Sequence, residues 1–321
     1  MESFWNSLQK PFFVLAPMAD VTDPAYRALI ATCGAADVTW TEFVSADGIY
    51  HTREKKGMKD SENPLLRDLE YTEAERPIVA QLFSSNPENM AYAAKLCAEL
   101  GFDGIDINMG CPDKAIEKQG CGSAMIKNPE RAKEIIRAAK EGGLPVSVKT
   151  RIGYNQETMD EWLPAVLSEE PAALTVHLRT RKEMSKVPAH WDLMPRAVEI
   201  RNHISPNTLI IGNGDVLDLN DAREKAQATG ADGIMLGRAI FGNPWLFTGA
   251  TAADIGKGDK IQALRELAQG YEKLMPQKSF HLLKKHVKAF IVGFDGSAQL
   301  RHELMEASDY ASFITLLQNA K

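Results

Sequence analysis

Short apolar runs rich in β-branched residues recur through the first 240 residues, at Phe12–Leu15, Val38–Phe43, Ile78–Phe83, Gly104–Asn108, Val146–Thr150, Ala173–His177, Leu209–Gly212 and Gly233–Leu236. Each has the length of a strand. Between most of them the pattern changes to a helical period. In Pro87–Leu100, Met90, Ala94, Cys97 and Leu100 fall on one face, and Gly101 stops the pattern. Pro129 opens the next helix and Gly142-Gly143 closes it. Asp218 is placed to cap Asn220–Thr229, which stops at Gly230.

Eight strands alternating with helices predict a parallel sheet wrapped by helices. An open, doubly wound sheet would normally carry a glycine-rich fingerprint after its first strand, and Ala16-Pro17-Met18-Ala19 is unlike one. The expected fold is therefore α/β, a (β/α)₈ TIM barrel over residues 1–247. Thr248–Lys260 is a run of small and polar residues and reads as a linker. Residues 261–321 show helical periods only, which predicts a small all-helical C-terminal domain. No internal repeat is visible.

Composition narrows the class. With 44% apolar and 25% charged residues the chain matches ordinary soluble proteins. No apolar run approaches the roughly 20 residues of a membrane helix, and the opening MESFWNSLQK lacks the apolar stretch of a secretory signal. Four scattered cysteines, Cys33, Cys97, Cys111 and Cys121, suit neither a disulfide framework nor a zinc site. The expectation is a cytoplasmic protein with reduced thiols, no metal, no membrane contact and no obligate protein partner. The net charge of −6 argues against a polyanionic partner, but it is unevenly spread. Residues 1–249 carry a net −8 and residues 250–321 a net +2, and local patches rather than totals steer binding.

In barrels of this type the active site is assembled at the C-terminal ends of the strands. Here those ends carry Pro17 and Met18, Glu42, Gln81, Asn108 and Cys111, Lys149 and Arg151, His177 and Arg179, Asn213 and Asp215, and Gly237 and Arg238. Such groups cost free energy when buried unless paired, so their gathering at one rim suggests a site. Gly212-Asn213-Gly214-Asp215 and Gly237-Arg238 form glycine-rich turns after the last two strands, where barrels often hold a phosphate at a helix N-terminus. Lys149 follows Val146-Ser147-Val148 and points into the mouth. It can stabilise an anion, pair with an acid or form a Schiff base, the last fitting less well beside Gln, Asn and His. His177 can be a ligand or a satisfied core residue, and Arg151 a ligand or a salt-bridge partner. Cys111 lies in Asn108-Met109-Gly110-Cys111-Pro112, a loop whose course Gly and Pro constrain, and is placed for proton transfer or nucleophilic attack. Cys33 and Cys97 read as packing residues, and Cys121, between Gly120 and Gly122, can contact a ligand by its backbone but reads first as a residue with no part in the chemistry.

Together these segments resemble the tRNA-dihydrouridine synthases. The matching pieces are Ala16-Pro17-Met18 with Thr22-Asp23, Gln81-Leu82-Phe83, Asn108-Met109-Gly110-Cys111-Pro112, Lys149-Thr150-Arg151, His177, Gly212-Asn213-Gly214-Asp215 and Gly237-Arg238, in the family's order over roughly residues 12–247. Asp20, Ser84 and Leu178 stand where the family often has glycine. The resemblance implies FMN in the barrel mouth, NADPH as reductant, and a uridine of tRNA reduced to 5,6-dihydrouridine. Flavin N5 then supplies hydride to C6 while Cys111 donates a proton to C5. It also implies that Pro17, Met18, Gln81 and Asn108 lie beside the ring system, Asn108 touching flavin or uracil, with Lys149 at its N1/O2 edge and His177 near ring or phosphate. Asn213, Gly214, Asp215, Gly237 and Arg238 fall in the phosphate segments. Arg151, Arg179 and the tail lysines Lys284, Lys285 and Lys288 are the expected RNA contacts. In Lys278–Gly293 these lysines lie opposite an apolar face of Phe280, Leu283, Val287 and Ile291. A flavin barrel acting on a small pyrimidine, of the dihydroorotate type, and a non-catalytic flavin- or RNA-binding protein are the alternatives.

Overall fold

The predicted runs form one parallel sheet in the computed structural model of the chain, which describes residues 3–251 and 253–320. Ala252, within the expected linker, and residues 1, 2 and 321, at the ends of the expected domains, lie outside the described residues. The strands are β1 (Phe12–Leu15), β2 (Thr39–Trp40), β3 (Val44–Ser45), β4 (Ile78–Phe83), β5 (Gly104–Met109), β6 (Val146–Arg151), β7 (Ala173–His177), β8 (Leu209–Asn213) and β9 (Gly233–Leu236). They pair in the order β1-β9-β8-β7-β6-β5-β4-β2, with β3 also on β4. A parallel bridge between Val14 and Val38 joins the two ends of this order into a barrel.

Strand alternation divides the core in two. Phe12, Val14, Trp40, Val79, Ala173, Ile211 and Met235 point inward and fill the lower barrel, closed from below by Trp5 on a short N-terminal turn. Leu15, Ile105, Ile107, Val148, Leu174, Val176, Ile210 and Ile234 point outward into a larger core under the helices. Near the top the inward positions turn polar: Gln81, Asp106 and Asn108, Ser147 and Lys149, Thr175 and His177, then Asn213.

Three local expectations differ from the structure. The run Val38–Phe43 is not one strand: only β2 forms within it and β3 follows just beyond it, because the Thr41 hydroxyl accepts the Gln81 N–H at 3.0 Å and Glu42 turns back to accept the Asp20 N–H. Asp20 has φ +57°, which explains why glycine suits that position. The helix Pro87–Glu99 buries Met90, Ala94 and Cys97 as its period predicts, but Leu100 is its C-cap and is 39% exposed. Lys278–Gly293 is a 3₁₀ turn, Phe280–Leu283, followed by the helix Lys284–Phe290. Other signals hold their positions. Asp218 caps Leu219–Thr229 by accepting from Asn220 and Asp221, and Gly230 ends it at φ +73°.

Beyond β9 only helices follow among the described residues. The first, Lys257–Leu274, begins inside the stretch that reads as linker. The tail lies against the barrel rather than apart from it. The Tyr271 hydroxyl donates to Asp23, the N-cap of the helix Pro24–Gly34, and a side chain at Gly242 would strike the Ala289 carbonyl at 2.2 Å. His286 is fully buried between Tyr26, Tyr271 and Phe290, and burial pushes its pKa down to about 3.

Candidate active site at the barrel mouth

A cleft of about 690 Å³ opens over the C-terminal ends of the strands, the size expected of a cofactor site. Its floor is apolar, from Ala16, Pro17, Met18 and Met235. Any side chain at Gly237 would enter this floor, 3.5 Å from Ala16 Cβ and Met18 Sδ.

The wall on β4 and β5 carries two buried amides. The Asn108 carboxamide oxygen accepts the N–H of Gly110 at 3.1 Å and of Cys111 at 2.9 Å, and its nitrogen donates to Gln81 at 3.1 Å. Asn108 thus fixes the first turn of the cysteine loop. The other side of that loop rests on the Gly120-Cys121-Gly122 turn. Ser123 donates to the Cys111 carbonyl from both its N–H and its hydroxyl, each at 2.9 Å. Gly122 has φ +59°, and a Cβ there would meet the Cys111 carbonyl oxygen at 2.6 Å, so only glycine lets the two segments approach. Cys111 is half-buried, and burial pushes its thiol pKa up, opposed in part by Arg151 and Lys149. A thiol held above its usual range is protonated at neutral pH, a state suited to giving a proton rather than attacking as thiolate. Cys97 and Cys121 are fully buried, and Cys33 sits partly buried at a helix end.

β6 supplies the cations. Lys149 donates to the Asn213 side chain at 3.1 Å, and Asn213 in turn donates to the Met235 carbonyl at 2.9 Å. Desolvation, helped by Arg151, lowers the Lys149 pKa to about 8. Arg151, two residues on and on the same strand face, is buried. Its guanidinium donates to Gly110 O at 2.7 Å and to Thr180 O and Met184 O at 3.3 Å. It ties the cysteine loop to the loop after β7.

On the opposite wall, Arg179 is 3% exposed and its donors are committed to the Val187 carbonyl, His177 and Asp215. His177 must therefore accept at Nε2, so its proton is on Nδ1. Burial and four neighbouring cations push its pKa well below the ordinary value, leaving it neutral. Asp215 falls in an expected phosphate segment, but its carboxylate faces Arg179 and Arg238, which hold its pKa low. An ionised carboxylate repels an anion, so Asp215 orients these arginines. Arg238 is the more exposed of the two and opens a single 3₁₀ turn, Arg238–Ile240, not a full helix. Gly214, at φ +131°, completes this corner.

The strand-end residues expected at the site, Pro17 to Arg238, therefore line one cleft, except Glu42, which turns away to accept the Asp20 N–H. The expected RNA contacts divide. Arg151 and Arg179 are built into the cleft walls because their donors serve carbonyls and Asp215. Of the tail lysines, Lys284 donates to the Met305 carbonyl, Lys285 lies 3.5 Å from the buried Asp23 carboxylate, and Lys288 is exposed. Phe43, at the end of the run Val38–Phe43, also lines the cleft, as do Ser185 and Leu217, which have no periodic signal in the sequence; Leu217 is 75% exposed at its rim. Among the described residues no cluster of three or more potential metal ligands occurs, and no helix is long and apolar enough to cross a membrane.

Known proteins resemble the chain in sequence and in fold. The family model described as dihydrouridine synthase matches residues 14–321. The chain is 40% identical over 321 residues to the probable tRNA-dihydrouridine synthase 2 of Bacillus subtilis, covering 99% of this chain and 96% of that one. It is likewise 40% identical over 319 residues to a probable tRNA-dihydrouridine synthase of Staphylococcus aureus, covering 98% and 95%. Among solved structures, a 2-naphthoyl-CoA reductase complex aligns with TM-score 0.54 at 9% identity over 74% of this chain and 49% of that one. The histamine dehydrogenase of Rhizobium sp. 4-9 aligns with TM-score 0.51 at 12% identity over 80% and 48%. These two likenesses speak to the barrel fold alone.

Proposed function

The chain belongs to the dihydrouridine synthase family, flavin oxidoreductases acting on uridine, and on that premise we propose that it reduces uridines of tRNA with FMN as cofactor and NADPH as reductant. The observation that carries the reading is Cys111, held by Asn108 and Ser123 at the edge of a cleft whose far side bears Lys149 and the Arg238 corner. The residues fit the group. An apolar floor suits a flat ring system, Gly237 leaves room beside it, and Arg238 with the Gly214 turn suits a single phosphate. When bound, FMN supplies hydride to C6 of the uracil.

The protein's own part is positioning and proton delivery. Lys149 would hold the N1/O2 edge with a positive charge in a partly desolvated setting, where charge acts strongly. Gln81 and Asn108 would present amide N–H groups to ring carbonyls. Cys111 gives its proton to C5, and its raised pKa keeps that proton in place until it is needed. The uridine must leave its stack to reach this depth, which costs a few kcal/mol and least where RNA is already looped. The helical tail, 261–321, adds the RNA-binding surface, chiefly through exposed Lys288 and the partly exposed Lys284.

The test is direct. Purified protein, reconstituted if necessary, should release FMN on denaturation and form dihydrouridine in unmodified tRNA when given NADPH. Failure to bind FMN would remove the basis of the reading. Reduction of free pyrimidines without reduction of tRNA would redirect it to a small-molecule barrel.

A further inference from the structure

Beneath the cleft floor lies a carboxylate that the proposed reaction does not use. Asp106, on β5, is fully buried, its Oδ1 accepting the Ser147 hydroxyl and its Oδ2 the Gln81 amide nitrogen, both at 2.6 Å. From Gln81 the chain of bonds continues upward: the Gln81 oxygen accepts from Asn108 at 3.1 Å, and the Asn108 oxygen accepts from Cys111 N–H at 2.9 Å. Each carboxamide has an oxygen end and a nitrogen end, and the chain closes with only one orientation of each. An ionised carboxylate only accepts, so it demands nitrogen from Gln81. The backbone N–H groups of Gly110 and Cys111 only donate, so they demand oxygen from Asn108. Both ends require the same polarity.

We infer that Asp106 is a positioning residue: its carboxylate fixes the direction of the Gln81 and Asn108 amides, and so holds the Cys111 backbone and aims their remaining N–H groups into the cleft. The inference rests on the proposed reaction only for what Cys111 does, not for the chain itself. Burying a carboxylate is costly. Leucine would fill the space but accept nothing, and asparagine would supply one acceptor but could also donate in the wrong sense, as a carboxylate cannot. Burial pushes the Asp106 pKa up to about 6, against the opposing bonds from Ser147 and Gln81 and the nearby charge of Lys149, which leaves the acceptor form predominant at neutral pH. Seen from the cleft, the wall then offers the remaining N–H of each amide. This suits carbonyl oxygens of a ring dione and disfavours a ring that presents an amino group at the same edge.

The experiment measures amide hydrogen exchange at Gly110 and Cys111 in the FMN-loaded protein, with FMN affinity by fluorescence titration. Asp106→Asn alone can preserve the chain by turning its NH₂ toward the Ser147 hydroxyl. The decisive variant is therefore Asp106→Asn with Ser147→Ala, which removes that escape. Its Gly110 and Cys111 amides should exchange about tenfold faster, the equivalent of one net hydrogen bond of about 1.4 kcal/mol, while either single change has a much smaller effect. Asp106→Asn with Gln81→Glu moves the carboxylate one link along and keeps the demand for nitrogen from Asn108. It should return exchange close to wild type, but not FMN affinity, because Gln81 no longer donates to the cleft. Wild-type exchange in the first double variant would overturn the inference. So would unrestored exchange in the second when its circular dichroism and melting temperature match wild type. Neither readout depends on uridine reduction, so failure here is separate from failure of the proposed function.

Discussion

At the barrel mouth, Lys149, Arg151 and Arg179 are drawn into the protein, each with a named partner, and the first two have their pKa values pushed down by desolvation. On the helical tail, Lys284 makes a carbonyl contact, Lys285 an ion pair with Asp23, and Lys288 is exposed. Both regions collect positive charge, and they put it to different physical use. A desolvated, fixed cation acts strongly on one atom of one ligand, because screening by water is reduced. An exposed lysine adds affinity for a polyanion without selecting a geometry, and salt removes that contribution. The difference implies that the mouth should respond to substitution by large factors in single steps, and the tail by small factors in binding.

The largest expected effect is at the thiol. Cys111→Ala should retain flavin and its reduction by NADPH, yet lose about 10²–10⁴-fold in uridine reduction, the usual worth of a positioned acid. Pre-reduced variants mixed with unmodified tRNA in the absence of oxygen report this as the rate of flavin reoxidation. Cys111→Ser should recover little, because a hydroxyl is a far weaker acid. Cys121→Ala is an informative control, since Cys121 is buried beside Ile116 and Phe83 directly behind the loop. It should keep most activity if the loop keeps its shape. Wild-type reoxidation in Cys111→Ala would defeat the proton-donor role while leaving the family assignment intact.

Next comes Lys149→Met, which should weaken FMN binding or slow its reduction by about 10–100-fold, the range for loss of a charge-assisted hydrogen bond of roughly 1.5–3 kcal/mol. The same residue sets a pH dependence. Its pKa is lowered, so it is charged below about pH 8 and loses its proton as pH rises through that value. FMN affinity should therefore decline across that window in the wild type and stay level in Lys149→Met. The Cys111 thiol moves the other way and should add a second, more alkaline loss seen only in uridine reduction. A single alkaline limb shared by both measurements and both proteins would show that Lys149 does not carry the effect.

Much of the mouth was legible because a strand has a period of two. Once Lys149 is placed inward, Ser147 and Arg151 must share its face, and Asn108 at the end of β5 implies the same for Asp106. The signal for Asp106 was therefore present: a carboxylate on the inward face of a strand buried on both sides needs a partner. What could not be read was the partner's identity, since Gln81 comes from another strand and their pairing is a property of the closed barrel. The turn at Glu42 and the separate strand β3 were hidden for a related reason. A continuous apolar run gives no warning that Thr41 will replace a backbone acceptor and break the strand. The tail shows the opposite limit. Its apolar face was placed correctly for Leu283, Val287 and Ile291, which are buried, while Phe280 is half-buried. Yet helical period assigned Lys285 to solvent when tertiary docking gave it Asp23, a residue of the first βα loop.

That docking shapes the smallest predicted effect, which tests the tail. Lys284→Glu combined with Lys288→Glu should weaken tRNA binding and flatten its salt dependence, lowering the log–log slope by about 0.7–0.9 for each phosphate that is no longer neutralised. Lys288, exposed, should account for most of this, and Lys284 for less because its ammonium already serves the Met305 carbonyl. Lys285→Glu is a different kind of change and is not interchangeable with them. It places a second carboxylate beside Asp23, near Glu42, whose pKa burial and Asp23 already raise to about 7. Its cost should appear first as a lower melting temperature, since like charges would face each other in a buried setting. NADPH oxidation without RNA should remain normal in the Lys284/Lys288 variant, because neither residue lines the cleft. Binding measured over a range of salt concentrations decides the point. A slope identical to wild type would mean that the tail docks the barrel without touching RNA, and that the mouth alone supplies the affinity.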